Sequence, residues 1–201
     1  MIKKFIRNLF FKDLYKRMIE TSGTQTPINL KIWIFQKIFG FNKEAYWPMH
    51  FTSIVTGVKN IHAGIDTSPG YMPGCYIQGI GKIYIGDYTQ ISSNVGIITA
   101  NHDIYDTRKH EVKSVSIGKY CWIGMNTMIL PGVELGDFTI VGAGSIVTKS
   151  FTNGYCIVAG NPAKVIKQLD KERCIPFKNK YEYYGYLTPE EFEKYKYDKG
   201  L

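Results

Sequence analysis

The sequence predicts a mostly β protein whose chain winds as a parallel β-helix of hexapeptide repeats, with N-terminal helices before it and a helical tail after it. The main evidence is an aliphatic residue at every sixth position. The two runs are Ile85, Ile91, Ile97 and then Ile117, Ile123, Ile129, Leu135, Val141, Val147. A period of six fits neither an α-helix nor one long strand. It is typical of a coil with three short sides, each of which buries one aliphatic residue.

Smaller side chains support the same coil, because most of the aliphatic positions are followed four residues later by a small or medium residue. These residues are Thr89, Val95, Cys121, Thr127, Val133, Thr139 and Ser145. Glycine follows several aliphatic residues directly, at Gly86, Gly118, Gly124, Gly136 and Gly142. Glycine suits a tight corner or a close backbone contact because it lacks a Cβ. The pattern predicts coils over 85–102, 117–134 and 135–152.

Two further segments belong to the predicted coil domain, 46–160, but depart from the clean repeat. Residues 46–84 allow a looser register with Ile65, Tyr71 and Ile77 in the interior and two extra residues before Ile85. Residues 103–116 do not fit the repeat, so we expect them to leave the coil as an excursion loop.

The N-terminal segment, 1–45, is predicted to be helical. Apolar residues recur at helical spacing from Ile2 to Met18, and a second short helix is expected over Leu30–Phe39. The first helix has two interpretations. Its apolar face can pack on the body of the protein, or its basic residues and apolar face can give 1–18 a peripheral contact with a membrane.

The C-terminal segment, 161–201, is predicted to contain a helix and a tail. Gly160-Asn161-Pro162 predicts a turn, after which a helix is expected over Ala163–Lys171. A second helix start is expected at Thr188-Pro189-Glu190-Glu191, where Thr188 is the cap and Glu191 stands three residues later.

Composition and charge narrow the function classes. The chain has 201 residues, 44% of them hydrophobic and 21% charged, which is typical of one folded domain. The net charge of +8 is compatible with anionic small molecules, but no nucleic-acid motif accompanies the basic clusters. The four cysteines show no CxxC spacing, and we find neither a cleavable signal peptide nor a membrane span. The expected location is the cytoplasm, with the inner face of the membrane as a further option.

His102 is the first candidate for chemistry because it stands where a regular coil ends and the excursion begins. Loops held on a rigid scaffold are common positions for functional sites. An imidazole can accept a proton from a hydroxyl group near neutral pH. Asp103 and Asp106 are the nearby carboxylates that could fix the tautomer of the ring.

The motifs at the end of the coil resemble the hexapeptide-repeat acyltransferases, in particular the maltose and galactoside O-acetyltransferases and the sugar O-acetyltransferases of surface-polysaccharide pathways. The resemblance is strong over 85–167 and looser over 46–84. It is carried by Trp122-Ile123-Gly124, by Ile129-Leu130-Pro131-Gly132-Val133, by the run from Ile140 to Lys149 and by the run from Val158 to Ile166.

This resemblance implies a left-handed coil, a homotrimer and acetyl-CoA as the acyl donor, bound between neighbouring subunits, with no metal. It makes His102 the catalytic base, and it places Asn94, Asn101 and Asp103 on the acceptor side. Donor contacts are implied for Trp122, Met125, Ala143, Thr148, Lys149, Lys164 and Lys167. The three lysines also form a basic cluster that could hold the phosphate groups of coenzyme A.

The predicted function is transfer of an acetyl group from acetyl-CoA to a hydroxyl group of a sugar or glycan, which can be lipid-linked. Three alternatives stay open at this point. The acceptor could be an amine, as in N-acetylation of an amino sugar or a xenobiotic. The coil could be a scaffold without activity. A zinc hydratase would need converging ligands, and the four histidines, His50, His62, His102 and His110, show no close ligand spacing.

Overall fold

The structure is a computed structural model that describes residues 12–199. Its strands are short, and the chain forms them in the following order. They are β1 Ile54–Thr56, β2 Ile61–Ala63, β3 Tyr76–Gln78, β4 Ile83–Ile85, β5 Gln90–Ile91, β6 Gly96–Ile98, β7 Ala100–His102, β8 His110–Val112, β9 Val115–Ile117, β10 Trp122–Ile123, β11 Met128–Ile129, β12 Glu134–Leu135, β13 Thr139–Val141, β14 Ile146–Val147, β15 Cys156–Gly160 and β16 Ala163–Gln168.

The strands form three sheets that the chain visits in rotation. Sheet A is β1-β3-β6-β11-β14, sheet B is β2-β4-β9-β12, and sheet C is β5-β10-β13-β15-β16. All neighbours in these sheets are parallel except β15 and β16. Ile117 pairs with Leu135, and Ile129 pairs with Val147. Successive turns in this part of the coil are therefore 18 residues apart, as the repeat predicted.

The interior of the coil contains the predicted hexad residues. Every aliphatic residue of the two runs is at most 7% exposed, and the smaller residues four positions later are at most 2% exposed. The hydrophobic effect is the main force that stabilises this arrangement, because each turn buries apolar area against the next. The prediction of a hexapeptide coil is confirmed at these positions.

Polar side chains in the interior are satisfied by the backbone of neighbouring turns. The Thr89 hydroxyl donates to the Gly118 carbonyl at 2.7 Å and accepts from the Cys121 amide at 3.1 Å. The Cys121 thiol donates to the Gly136 carbonyl at 3.3 Å. Burial raises the pKa of Cys121 to about 12, so the thiol keeps its proton at neutral pH. This residue therefore serves the interior of the coil.

Glycine is required where adjacent turns approach most closely. A Cβ added to Gly118 would lie 2.6 Å from the Asp137 amide nitrogen and 2.7 Å from the Gly136 carbonyl carbon. Both are backbone atoms, so relief requires movement of a whole turn. We expect Gly118→Ala to lower the free energy of unfolding by about 1–3 kcal/mol, as overpacking does in other interiors, measured by urea denaturation.

A matched control is Gly144→Asn. Gly144 has φ +70° and open space around its Cα, and Asn94 and Asn126 adopt φ 58° and 57° at the equivalent corners of other turns. Asparagine tolerates this left-handed conformation, so this control is expected to change stability by less than about 1 kcal/mol. An unchanged midpoint for Gly118→Ala would contradict the close packing of these turns.

The predicted interior register before Ile85 is correct for Ile77 and wrong for Ile65 and Tyr71, which are only half-buried. Ala63 takes the interior position instead and pairs with Ile85, so this turn is 22 residues long. The added length includes the loop 68–74, which the repeat pattern does not encode. This loop reverses through two glycines of positive φ, Gly70 and Gly74.

The excursion is displaced from its predicted bounds of 103–116. It is an antiparallel hairpin of β7 and β8, which pairs Ala100 with Val112 and His102 with His110. The chain has already returned to sheet B at Val115, which is 1% exposed and pairs with Ile83. The alternation of Val115 and Ile117 toward the interior explains the early return.

The helix predicted over Ala163–Lys171 is wrong, because residues Ala163–Gln168 form β16. After the Gly160-Asn161-Pro162 turn, whose Asn161–Pro162 peptide bond is cis, the chain folds back antiparallel on β15. The edge of β15 offers unpaired backbone groups, and satisfying these outweighs local helix propensity.

The helices lie outside the coil. Residues 12–20 are helical (α1), and α2 spans Leu30–Trp33 and continues as a π-helical turn over Ile34–Ile38. The C-terminal helix α3 spans Pro189–Lys199. The predicted capping motif is confirmed, because the Thr188 hydroxyl accepts from the Glu191 amide while the Glu191 carboxylate accepts from the Thr188 amide.

The two ends of the described chain are joined. Leu14 of α1 packs against Ile28 and Tyr186, and the Arg17 guanidinium binds both carboxylate oxygens of Glu191 at 2.7 and 2.8 Å. For residues 12–20, these contacts favour the interpretation in which the first helix packs on the body of the protein. The rest of the segment for which membrane contact was considered, 1–11, lies outside the described residues. Over 12–199, no helix is long and apolar enough to cross a bilayer.

Candidate active site

The His102 imidazole lies at the end of β7 on the hairpin and is exposed. Its Nδ1 atom is 2.6 Å from the carbonyl oxygen of Thr107. A carbonyl oxygen only accepts hydrogen bonds, so Nδ1 must carry the proton and Nε2 is left with a free lone pair in the neutral ring. The backbone thus holds His102 in the tautomer that a general base requires.

The nearby carboxylates stabilise the hairpin turn rather than the imidazole. Asp103 accepts from the amides of Tyr105 and Asp106, both at 2.8 Å, and these bonds hold the pKa of its carboxyl below the usual value. Asp106 accepts from the Arg108 guanidinium at 2.9 Å, which likewise lowers the pKa of Asp106. The partner that fixes the tautomer is the Thr107 carbonyl, and neither carboxylate considered from the sequence has this role.

His110 is a neighbour whose position the sequence did not indicate. The antiparallel register of the hairpin places it opposite His102, with ring centroids 4.5 Å apart and the planes inclined by 42°. A pattern of alternating residues on both sides of the excursion would have been needed to predict this pairing.

The remaining predicted residues fall on two edges of the coil. The C/A edge, where the chain passes from sheet C to sheet A, comprises 92–95, 124–127 and 142–145. The A/B edge, where the chain passes from sheet A to sheet B, comprises 57–60, 79–82, 99–114, 130–133 and 148–150, and so includes the hairpin.

The structure divides the predicted site residues between these edges. Asn94, Met125 and Ala143 are exposed at the C/A edge, with the exposed side chain of Trp122 beside them on sheet C. The A/B edge carries Asn101, His102, Asp103, Thr148 and Lys149. The exposed side chains of Lys164 and Lys167 extend from β16 at the end of sheet C. A single chain does not bring the two groups together, because sheet A lies between them.

Asn94 also has a local reason to be asparagine. It adopts φ 58° at its corner, a left-handed conformation that favours glycine and asparagine, although Tyr88 and Tyr120 also adopt it in this chain. Its side-chain oxygen lies so close to Gly74 that a Cβ added to this glycine would be only 2.0 Å from that oxygen. The turn therefore accounts for this residue whether or not it contacts an acceptor.

The outer surface of sheet A is more apolar than that of sheet B, and sheet C also presents Trp122, Ile140 and Ile157 outward. The outward residues of sheet A include the apolar Ile54, Tyr76, Ile98, Met128 and Ile146 and the polar Thr56 and Gln78. Ile54 is 54% exposed and Tyr76 is 40% exposed. Sheet B instead presents His62, Tyr84, Ser116 and Glu134. Contiguous apolar surface of this kind is a candidate for contact with another protein or a ligand.

Known proteins share this architecture. Residues 114–149 match the family model described as bacterial transferase hexapeptide (six repeats). A Schizosaccharomyces pombe protein named "Putative acetyltransferase" is 31% identical over 158 residues, which cover 77% of this chain and 75% of that protein. A Staphylococcus aureus (strain MRSA252) protein with the same designation is 36% identical over 80% of this chain and 73% of its own length. This chain belongs to the hexapeptide-repeat acetyltransferase family.

Solved structures of hexapeptide-repeat acetyltransferases show the same fold. The maltose O-acetyltransferase from Clostridium difficile 630 superposes with a TM-score of 0.54 at 26% identity, over 81% of this chain and 89% of that one. A galactoside acetyltransferase solved in complex with coenzyme A superposes with a TM-score of 0.62 at 22% identity, over 84% and 86% of the two chains. Within residues 12–199 of this hexapeptide-repeat acetyltransferase, no three His, Cys, Asp or Glu side chains are grouped so that they could hold a metal ion.

Proposed function

We propose that this protein transfers an acetyl group from acetyl-CoA to a hydroxyl group of a sugar or glycan, with His102 as the general base. The observation that carries the proposal is the 2.6 Å hydrogen bond from His102 Nδ1 to the Thr107 carbonyl, which leaves Nε2 free to accept a proton. Membership of an acetyltransferase family supports the donor, and relatives named galactoside and maltose O-acetyltransferase support the acceptor class.

The proposed active unit is a homotrimer of left-handed coils with sheet A facing the three-fold axis. The apolar outer residues of sheet A, such as Ile54 and Tyr76, would then be covered. Packing sheet A in this way brings the A/B edge of one subunit against the C/A edge of the next. His102 of one subunit would meet Asn94, Met125 and Ala143 of its neighbour, so that one groove forms at each interface.

The proposed donor site lies in this groove. Trp122 and Met125 are 54% and 46% exposed and provide an apolar surface for the pantetheine arm. Thr148, Lys149, Lys164 and Lys167 are exposed toward the last turns of the coil. The ammonium groups of the three lysines would attract the phosphates of coenzyme A as point charges.

The proposed reaction is a direct transfer. The acceptor hydroxyl gives its proton to His102 Nε2 as its oxygen attacks the thioester carbonyl carbon. The tetrahedral intermediate collapses by breaking the carbon–sulfur bond, and the departing thiolate takes the proton from His102. The products are an acetyl ester and coenzyme A, and no acyl-enzyme forms. Holding both reactants in one groove supplies much of the rate.

The proposed acceptor belongs to a surface polysaccharide, assembled in the cytoplasm or at the inner face of the membrane, and Asn101 and Asp103 stand beside His102 where they can contact it. An amine acceptor is the competing possibility. The two are distinguished by the product, because hydroxylamine cleaves an acetyl ester much faster than an acetamide.

The experiment that tests the donor is a thermal-shift titration with acetyl-CoA. A ligand at 100 times its dissociation constant stabilises the native state by about 2.7 kcal/mol. We expect a saturable shift with acetyl-CoA, and a weaker one in the double variant Lys149→Ala, Lys164→Ala. The matched control is Lys178→Ala, Lys180→Ala, two exposed lysines of the tail outside the proposed groove. No shift with any acyl-CoA, in a folded trimer, would contradict the proposal and favour a scaffold.

A further inference from the structure

A second cavity lies on the outer surface of sheet B, outside the groove proposed for acetyl transfer. Its volume is about 630 Å³, within the range of small-molecule pockets, and it lies between the strands of sheet B and helix α3. None of the residues that were predicted to bind donor or acceptor lines it.

The floor of this sheet B groove contains a place for one ring. His62 and Tyr84 occupy paired positions on β2 and β4, and their rings stack at 4.7 Å with planes inclined by only 6°. The next residue along this row is Ser116 of β9, which pairs with Tyr84. Strands are spaced about 4.8 Å apart, close to the stacking distance of rings. The small side chain of Ser116 therefore leaves room for a ring on the second face of Tyr84, which is 45% exposed.

The rim of the groove is cationic. Lys59 and Lys82 lie on the sheet side, and Lys196 and Lys199 lie on helix α3. Of the described residues that line the groove, none is Asp or Glu. Among the described residues, Glu193 binds Lys196 at 2.7 Å from outside the groove, and Glu134 follows Ser116 in the same outward row of sheet B, so four lysines face two nearby carboxylates. Charge complementarity thus favours an anionic ligand.

The groove is continuous with the edge that carries His102. One of its lining residues is Ser114, which belongs to the A/B edge and follows directly on the hairpin of β7 and β8. A chain-like acceptor whose hydroxyl group is held at His102 could pass around this edge and continue over Ser116 to Tyr84.

We infer that the sheet B groove binds an anionic sugar unit of the acceptor glycan, with the sugar ring on Tyr84 and its carboxylate or phosphate group at the lysine rim. This inference rests on the proposed function and specifies its substrate class. The occupant is a glycan rather than a second copy of the chain because the more apolar outer surfaces belong to sheets A and C, and because the cationic rim of this groove would repel the same rim of a second copy. An acidic glycan would be held by its repeating charges and would present successive hydroxyl groups to His102.

The test is direct binding to the trimeric His102→Ala variant, measured by isothermal titration calorimetry with acetyl-CoA present. The probes are a galacturonate hexamer, maltohexaose carrying a phosphate monoester, and neutral maltohexaose. We expect one or both anionic probes to bind and the neutral one to bind at least about tenfold more weakly. The two anionic arms distinguish a carboxylate from a phosphate.

Variants of the groove then assign the binding to it. We expect the binding of the anionic probe to weaken by about tenfold or more in the double variant Lys59→Gln, Lys82→Gln, and by a similar factor in Tyr84→Ala. Tyr84→Phe keeps the ring and should stay within about twofold. Lys178→Gln with Lys180→Gln removes the same charge elsewhere and should change nothing beyond weak screening. Ser116→Phe fills the slot and should abolish binding.

The inference would be overturned if the variant of Lys59 and Lys82 bound the anionic probe as tightly as the variant of Lys178 and Lys180. It would also be overturned if oligothymidylate, added as a polyanion that is not a glycan, bound as tightly as the glycans. Failure of the proposed function would give a different result, namely a wild-type protein that shows no thermal shift with acetyl-CoA. All groove variants are expected to keep that shift, so loss of glycan binding alone concerns the groove and not the acetyl-transfer site.

Discussion

Replacing His102 with alanine is expected to lower the rate of acetyl transfer by about 10²- to 10⁴-fold, the usual contribution of a positioned general base. The variant is expected to keep the coil, because His102 is exposed on the hairpin and is not part of the hydrophobic core. The rate is measured as acceptor-dependent release of the coenzyme A thiol, with galactosides, maltose and anionic oligosaccharides as acceptors.

The control for this variant is His50→Ala. His50 is another partly exposed histidine, but its Nδ1 contacts the Thr52 hydroxyl at 2.8 Å and its ring stacks on Phe51. This variant should keep its rate, and both variants should keep the thermal shift with acetyl-CoA. A rate for His102→Ala within about twofold of wild type would contradict the assignment of the base.

The interior of the coil could be predicted because burial repeats with the period of the sequence. From Ile117 to Val147 each aliphatic residue has one place in a regular turn, and the structure confirms each of them. The prediction is wrong where a turn of the coil is longer than 18 residues. The turn from Ala63 to Ile85 is 22 residues long, so Ala63 takes the interior position and Ile65 and Tyr71 do not. No periodic signal marks the loop 68–74, which lengthens this turn.

The strand β16 shows a second limit of sequence reasoning. Its residues, Ala163–Gln168, follow a turn and alternate poorly, so a helix was a reasonable expectation. Their conformation is decided by pairing with the exposed edge of β15, a tertiary contact that local sequence preferences do not encode. Such tertiary pairing outweighs propensity.

For the candidate site, the sequence suggests residue types but not their geometry. His102 is a candidate because of its place at the end of a coil, but its hydrogen-bond partner is the Thr107 carbonyl, and a backbone atom carries no sequence signature. The separation of His102 from Met125 and Ala143 across sheet A also follows only from the order of the strands.

This separation leads to the second prediction, which concerns mixed trimers of two inactive variants. His102→Ala removes the proposed base at the A/B edge. Ala143→Trp places a bulky ring in the proposed donor site at the C/A edge, where Ala143 is exposed. Each variant alone should form trimers with less than about 1% of wild-type activity, and Ala143→Trp should also lose the acetyl-CoA shift.

Trimers that contain both variants should recover activity. Around a ring with two subunits of one variant and one of the other, one interface joins an intact His102 to an intact Ala143. The expected activity is therefore about one third of wild type, whichever variant is in the majority.

The most direct test of the account is the activity of such mixed trimers, produced by co-expressing the two variants with different affinity tags and purified through both tags in succession. Acetyl transfer at about one third of the wild-type rate is the predicted result, and it requires both an acetyl-CoA-dependent reaction and a site shared between subunits. Mixed trimers of normal size that stay as inactive as the single variants would contradict the shared site and the trimer contact through sheet A.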